Sequence, residues 1–184
     1  MWSNALSFGG GVLAAVLAAS AALRVNRTKM AGDTKARWEA VLFDKSAQLA
    51  EAARSLRHHS ERYRHSSDKD ARKQRIDDAQ EKLRIAMEQL RLVGNRRVQV
   101  AARVVMHHAY AVAVQGVDNR DPRADRYTDT PPIARLNDAL QEFYRAVRQQ
   151  LRAADPEDVL HDDDLARIAD GLQPLTPEQR SSIV

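Results

Sequence analysis

The sequence predicts an all-α chain: a single N-terminal transmembrane helix, then an antiparallel bundle of about four helices, with short helical pieces in the C-terminal tail. Three observations lead there. Residues 5–23 contain no charged side chain. Beyond them, apolar residues return at three- and four-residue steps, the period of a half-buried helix. Aromatics make up 5% of the 184 residues, while Ala, Leu, Val and Arg dominate, which favours helix over sheet. The expected division is 1–30 for the anchor and its basic flank, 31–152 for the bundle, and 153–184 for an acidic tail.

The first element is the run ALSFGGGVLAAVLAASAAL from Ala5 to Leu23. As a helix it would extend about 28 Å, close to the hydrocarbon thickness of a bilayer. Its strongly apolar residues supply about −3 kcal/mol of insertion free energy, part of which Gly9, Gly10 and Gly11 offset. Trp2 suits an interface. Arg24, Arg27, Lys29, Lys35 and Arg37 follow the run and no charged side chain precedes it. The positive-inside rule then expects a single pass through the cell membrane, with the N-terminus outside and the C-terminal domain in the cytoplasm. Ala19-Ser20-Ala21 leaves a cleaved signal peptide as the alternative. Ser7, Gly11, Ala15 and Ala19 form a stripe of small residues, a candidate helix-packing surface in the membrane.

Gly32-Asp33 reads as a break and an N-cap. Trp38, Leu42, Leu49, Ala52, Leu56 and Tyr63 then mark an amphipathic helix over about 34–64, long enough for a bundle or coiled-coil arm. Lys45 interrupts its stripe. After the polar turn His65–Asp68, Ile76, Ala79, Leu83, Ala86, Leu90 and Val93 mark a second helix over 69–93, ended by Gly94. Asn95 can cap the third, over 96–115. That segment is apolar around most of its circumference, so it belongs at the centre of the bundle. Residues 116–132 hold three prolines and exceed the usual length of a structureless connection, as a binding loop or, the simpler expectation, a mobile one. Ile133, Leu136, Leu140, Phe143, Val147 and Leu151 mark a fourth helix to about 152. In the tail, Asp155-Pro156-Glu157-Asp158 and Thr176-Pro177-Glu178-Gln179 look like helix starts, with Leu165, Ile168 and Leu172 docking on the bundle.

Charge is unevenly spread. Residues 24–120 carry 21 Lys/Arg against 12 Asp/Glu, whereas residues 121–184 carry 8 against 13. Arg24, Arg27, Lys29, Arg91, Arg96 and Arg97 are candidate contacts for an anionic surface. Arg96-Arg97 stand out because cations in a first helical turn oppose the macrodipole.

Specific chemistry is poorly represented. The chain has no cysteine, which excludes disulfides and thiolate sites. Adjacent histidines, as in His58-His59 and His107-His108, point about 100° apart and do not share one ion easily. His107 and His108 read as core histidines bonded to neighbouring helices. His161-Asp162-Asp163-Asp164 lacks the spacing and glycine of a calcium loop and reads as a capping cluster. There is no phosphate-cradling glycine loop and no nucleophile elbow, so no catalytic residue, cofactor or metal is expected.

Leu90-Arg91-Leu92-Val93-Gly94, Val98, Ala101-Ala102 and Phe143-Tyr144-Arg145-Ala146-Val147-Arg148 resemble stretches of small uncharacterised proteins of high-GC actinobacteria. The resemblance covers residues 5–152. It implies a short N-terminal span with cytoplasmic helical hairpins, and no site residues.

The expected function is a membrane-anchored scaffold, regulator or complex subunit that works by protein–protein contact. Its partners would be membrane lipids, a protein and a second copy of the chain. One alternative is a peripheral binder of anionic lipid or nucleic acid through Arg54, Arg57, Arg62, Arg64, Arg91, Arg96 and Arg97. Few aromatics interleave with these bases, so nucleic acid is not the expected partner. A metal-dependent enzyme is the remaining alternative.

Overall fold

The computed structural model describes the backbone of residues 3–155, 159–160, 168–170 and 173, and side chains at residue 30 and, within those ranges, from residue 32 onward. Its elements are α1 (Ser3–Tyr63), α2 (Lys69–Val93), α3 (Arg96–Asp118) and α4 (Pro132–Gln150). No strand occurs among the described residues.

This corrects the expected fold. No helix among the described residues is long and apolar enough to cross a membrane. Nor does a separate anchor precede a bundle helix, because α1 runs through Gly32-Asp33 without a break. Glycine inside a helix costs only about 1 kcal/mol, which a long helix absorbs. Nothing else stops the helix there: the Thr34 hydroxyl donates back to the Met30 carbonyl at 2.8 Å, a bond within the helix rather than a cap. Among the described residues the chain is all-α, with the four helices named above.

Two compact units divide the chain, Met1–Ala40 and Val41–Val184. In the first, Lys35 pairs with Glu39 one turn on, at 3.5 Å. The small-residue stripe Ser7, Gly11, Ala15 and Ala19, and the cations Arg24, Arg27 and Lys29, have side chains outside the described residues.

The second unit is an up-down-up-down bundle. Asp68 caps α2 by accepting from the Ala71 amide at 2.9 Å, and Asn95 caps α3 by accepting from the Val98 amide at 3.0 Å. Gly94 does end α2, donating its N–H to the Leu90 carbonyl at 2.8 Å. Its backbone is extended (φ −81°, ψ 141°), not left-handed. Glycine is needed there for room, since a Cβ would meet Leu90 O and Val98 Cγ1 at 2.9 Å. Gln150, the last residue of α4, reaches back to this turn: its Oε1 accepts from the Asn95 N–H at 2.7 Å, and its Nε2 donates to the Val93 carbonyl at 2.9 Å.

One core joins all four helices through Leu42, Leu49 and Leu56 of α1, Ile76, Leu83 and Leu90 of α2, Val98, Val105 and Val112 of α3, and Leu136, Leu140 and Phe143 of α4. Near its upper end α1 crosses α3 with Gly116 against the backbone of Ser60. Helix α3 is less central than its composition suggests, because Val100, Val104 and Tyr110 are exposed. Lys45 lies off the core and turns to Asp44 and Gln48.

The connection after α3 is shorter and better tied than expected. Helix α3 runs on to Asp118 and ends at Asn119, a left-handed residue (φ 57°) whose N–H reaches the Gln115 carbonyl at 3.2 Å. Turns then hold residues 121–127, and Arg135 and Asp121 fasten the loop to α4. In the tail, Asp155 has φ 51°, which is not the extended backbone of an N-cap. Ile168 is exposed rather than docked. Pro156–Asp158, Leu165, Leu172 and Thr176–Gln179 lie outside the described residues, as does His161–Asp164.

Candidate functional site

Two places within the second unit combine unusual exposure or unusual burial with polar chemistry. The first is a groove between α1 and α4 of about 890 Å³. Helix α1 builds one wall with Phe43, Ala47 and Ala50; Tyr144 and Val147 of α4, with Leu151 just past its end, build the other. Phe43 follows a core leucine, so the helical period turns it outward, and it is 65% exposed. Such a large aromatic facing water beside an apolar groove departs from ordinary surface composition more than a scattered leucine does.

Cations rim the groove. The Arg54 guanidinium lies 5.6 Å over the Tyr144 ring, and His58 and Arg148 stand nearby, with Glu51 the carboxylate among the groove residues. Arg148 Nη2 donates to the carbonyl of Asp155 at 2.8 Å, which holds that residue at this face. The aliphatic pair Val159-Leu160 then contributes to the groove wall. The groove therefore already accepts branched aliphatic side chains of its own chain.

The second place is the α3–α4 connection. Arg135 and Asp121 form a buried ion pair at 2.6 Å, with side chains 4% and 14% exposed. The guanidinium sits 4.5 Å over the Tyr127 ring, and the His108 ring meets the same tyrosine edge-on at 5.4 Å. Burial first, then the positive charges around it, pushes the His108 imidazole down to about 4, so it is neutral at pH 7. His107 is lowered by the same causes, burial and then Arg123 and Arg126.

Of the cations expected to contact an anionic surface, Arg91, Arg96 and Arg97 lie within the described residues. Arg91 pairs with Glu88 at 2.9 Å and Arg97 with Glu142 at 2.9 Å, while Arg96 lines a separate shallow groove beside Val100 and Val104. Arg57 donates to Asn137, and Arg64 to the Gln115 carbonyl at 3.1 Å. These are bundle contacts between helices or turns of helix. The histidines divide as well. His59 Nδ1 meets Arg72 at 2.9 Å, and burial first, then the Arg72 charge, lowers its basicity, whereas buried His108 has no hydrogen-bond partner at Nδ1 among the described residues. Among the described residues no group of three His, Asp or Glu side chains is placed to hold a metal ion.

Phe43 was not singled out by sequence reasoning, and neither were Asp121, Tyr127 and Arg135; Arg54 was named only as a candidate anionic contact, and Tyr144 and Arg148 only within a resembling stretch. Phe43 carried a signal, as a large apolar residue one step off the stripe of its helix. Arg135 carried another, as a charge between the core positions Ile133 and Leu136. Neither signal says what the residue meets. No family model, curated protein or solved structure matches this chain.

Proposed function

We propose that this chain is a helical interaction module that works by protein–protein contact, and that the α1/α4 groove takes an amphipathic helix with acidic flanks. The observation that carries this reading is the groove itself, apolar along its floor, open at exposed Phe43, and bordered by Arg54, His58 and Arg148. A helix laid in such a groove buries one apolar stripe and sets its flanks against the rim. Arginine at the rim favours carboxylates through charge-assisted, often two-pronged hydrogen bonds. The aliphatic lining contributed by Val159-Leu160 supports the same side-chain chemistry for the occupant.

Fluorescence anisotropy with two synthetic helical peptides tests the reading. Both carry the same leucine stripe; one has glutamate flanks and the other lysine flanks. The glutamate peptide is expected to bind about tenfold tighter or better. Phe43→Asp is expected to weaken it by a similar factor or more, without harm to the fold because Phe43 lies outside the core. Equal binding of the two peptides, or unchanged binding to Phe43→Asp, would refute it.

A further inference from the structure

The chain turns at the end of α4 on two left-handed residues. Leu151 caps the helix, and Arg152 follows it at φ 55°. The Arg152 N–H reaches the Gln149 carbonyl at 3.1 Å and the Ala153 N–H reaches that of Arg148 at 3.0 Å, the nested pair of bonds by which a left-handed residue closes a helix. Glycine usually holds that position, because a Cβ is strained there; an arginine keeps it only where other contacts hold the turn. Three residues on, Asp155 is left-handed as well, at φ 51°. Arg148 supplies the contacts: its Nη2 donates to the carbonyls of Ala154 at 3.4 Å and Asp155 at 2.8 Å. An arginine of the groove rim thus fixes the start of the segment whose aliphatic pair, Val159-Leu160, lies at the groove.

That pair is no part of what builds the bundle. The core cluster does not include it, and neither residue belongs to a helix. Val159 is half-buried and Leu160 is 40% exposed, so their contact is shallow. In sequence the pair stands between Glu157-Asp158 and Asp162-Asp163-Asp164. An aliphatic stripe between carboxylates is the chemistry assigned above to the partner of the groove, and the same cationic rim complements both.

We propose that Val159-Leu160 is an intramolecular occupant of the α1/α4 groove, a strap that the partner must displace. The strap presupposes the groove reading above and sets how readily that groove opens. Closed about ten times as often as open, it lowers the partner's apparent affinity about tenfold. Because it is tethered to α4, it competes equally at any concentration of the protein.

Fluorescence anisotropy with the glutamate-flanked leucine peptide compares three full-length proteins: the parent, Val159→Ser/Leu160→Ser, and Arg152→Pro. Proline cannot take φ 55°, so Arg152→Pro undoes the turn from an exposed position outside the groove lining. None of the replaced residues belongs to the core. Both variants are expected to bind the peptide about tenfold tighter than the parent. Unchanged or weaker binding by either variant overturns the strap and leaves the groove reading standing; weaker binding by the double variant would make the pair a piece of the wall. A peptide that binds none of the three proteins overturns the groove reading, and the strap with it.

Discussion

Gly116→Ala adds one methyl group where α1 and α3 touch. A Cβ at this position would lie 2.7 Å from the Ser60 carbonyl oxygen, 2.8 Å from Ser60 Cβ and 2.9 Å from Ser60 Cα. Ordinary contact needs about 0.5 Å more or better, and two of the three obstacles are backbone, so a rotamer change cannot relieve them. The helices must part, which loosens Leu56 and Val112 beside the crossing. With backbone as the obstacle, overpacking of this kind falls in the upper part of its usual range, about 2–3 kcal/mol. Alanine recovers about 1 kcal/mol through its better helix propensity. The net expectation is destabilisation by about 1–2 kcal/mol, a fall of roughly 2–8 °C in melting temperature. Gly32→Ala is the matched control. It too lies inside a helix, but its added Cβ meets nothing within 4 Å. There the propensity gain stands alone, about 1 kcal/mol in favour of helix. Urea unfolding followed by circular dichroism reads the first variant, and helicity of the α1 segment reads the second. If Gly116→Ala proves as stable as the parent chain, the α1–α3 crossing has slack and the argument from close approach fails.

Three further outcomes are expected. Asp121→Asn strands the Arg135 guanidinium without its carboxylate and should cost about 3 kcal/mol, measured by urea unfolding, with faster proteolysis in the 119–131 loop. Stability should fall as the pH drops from 6.5 toward about 4, because the unfolded chain takes up a proton on His108 in that range while the folded chain does not. The loss approaches about 3 kcal/mol below that window, and His108→Gln should flatten the difference against the parent; parallel pH profiles would sink the assignment. Asn95→Ala and Asp68→Ala should each cost about 1 kcal/mol by removing the caps of α3 and α2, with Gly as a milder replacement at both sites.

The parts of the fold legible in the sequence were those set by local rules. The limits of α2 follow from the Asp68 cap, the stripe from Ile76 to Leu90 and the punctuation at Gly94, and all three lie where the spacing puts them. Helix α4 reads as well, since its apolar face is regular from Leu136 to Val147. Helix α1 misled because Gly32-Asp33 carries the residue types of a boundary, while the cost of continuing through it is smaller than the gain from an unbroken hydrogen-bond ladder. The run at 5–23 misled because an uncharged stretch was weighed as a separate element, whereas it forms part of a 61-residue helix. The loop was opaque for a different reason. Its order depends on Asp121 meeting Arg135 and on Tyr127 lying under that guanidinium, pairings between residues 8 and 14 positions apart that no periodicity encodes. The groove was half legible: Phe43 is visible as an off-stripe aromatic, but Arg54 and Arg148 become neighbours only once α1 and α4 are packed.

The reach of Gln150 back to Asn95 and Val93 bears on how the chain is made. The two ends of this clamp are 55 and 57 residues apart, and the turn it secures is the one between α2 and α3. A ribosome adds about 5–20 residues per second, so the α2–α3 turn emerges roughly 3–11 s before the side chain that locks it. During that interval the turn is held by bonds from within the hairpin: the Asn95 cap, the Gly94 N–H and the Gln99 side chain, which donates to the Gly94 carbonyl at 2.7 Å. A nascent chain arrested before residue 150 should therefore display this turn in exchange with solvent, and release past it should close the turn and the core together.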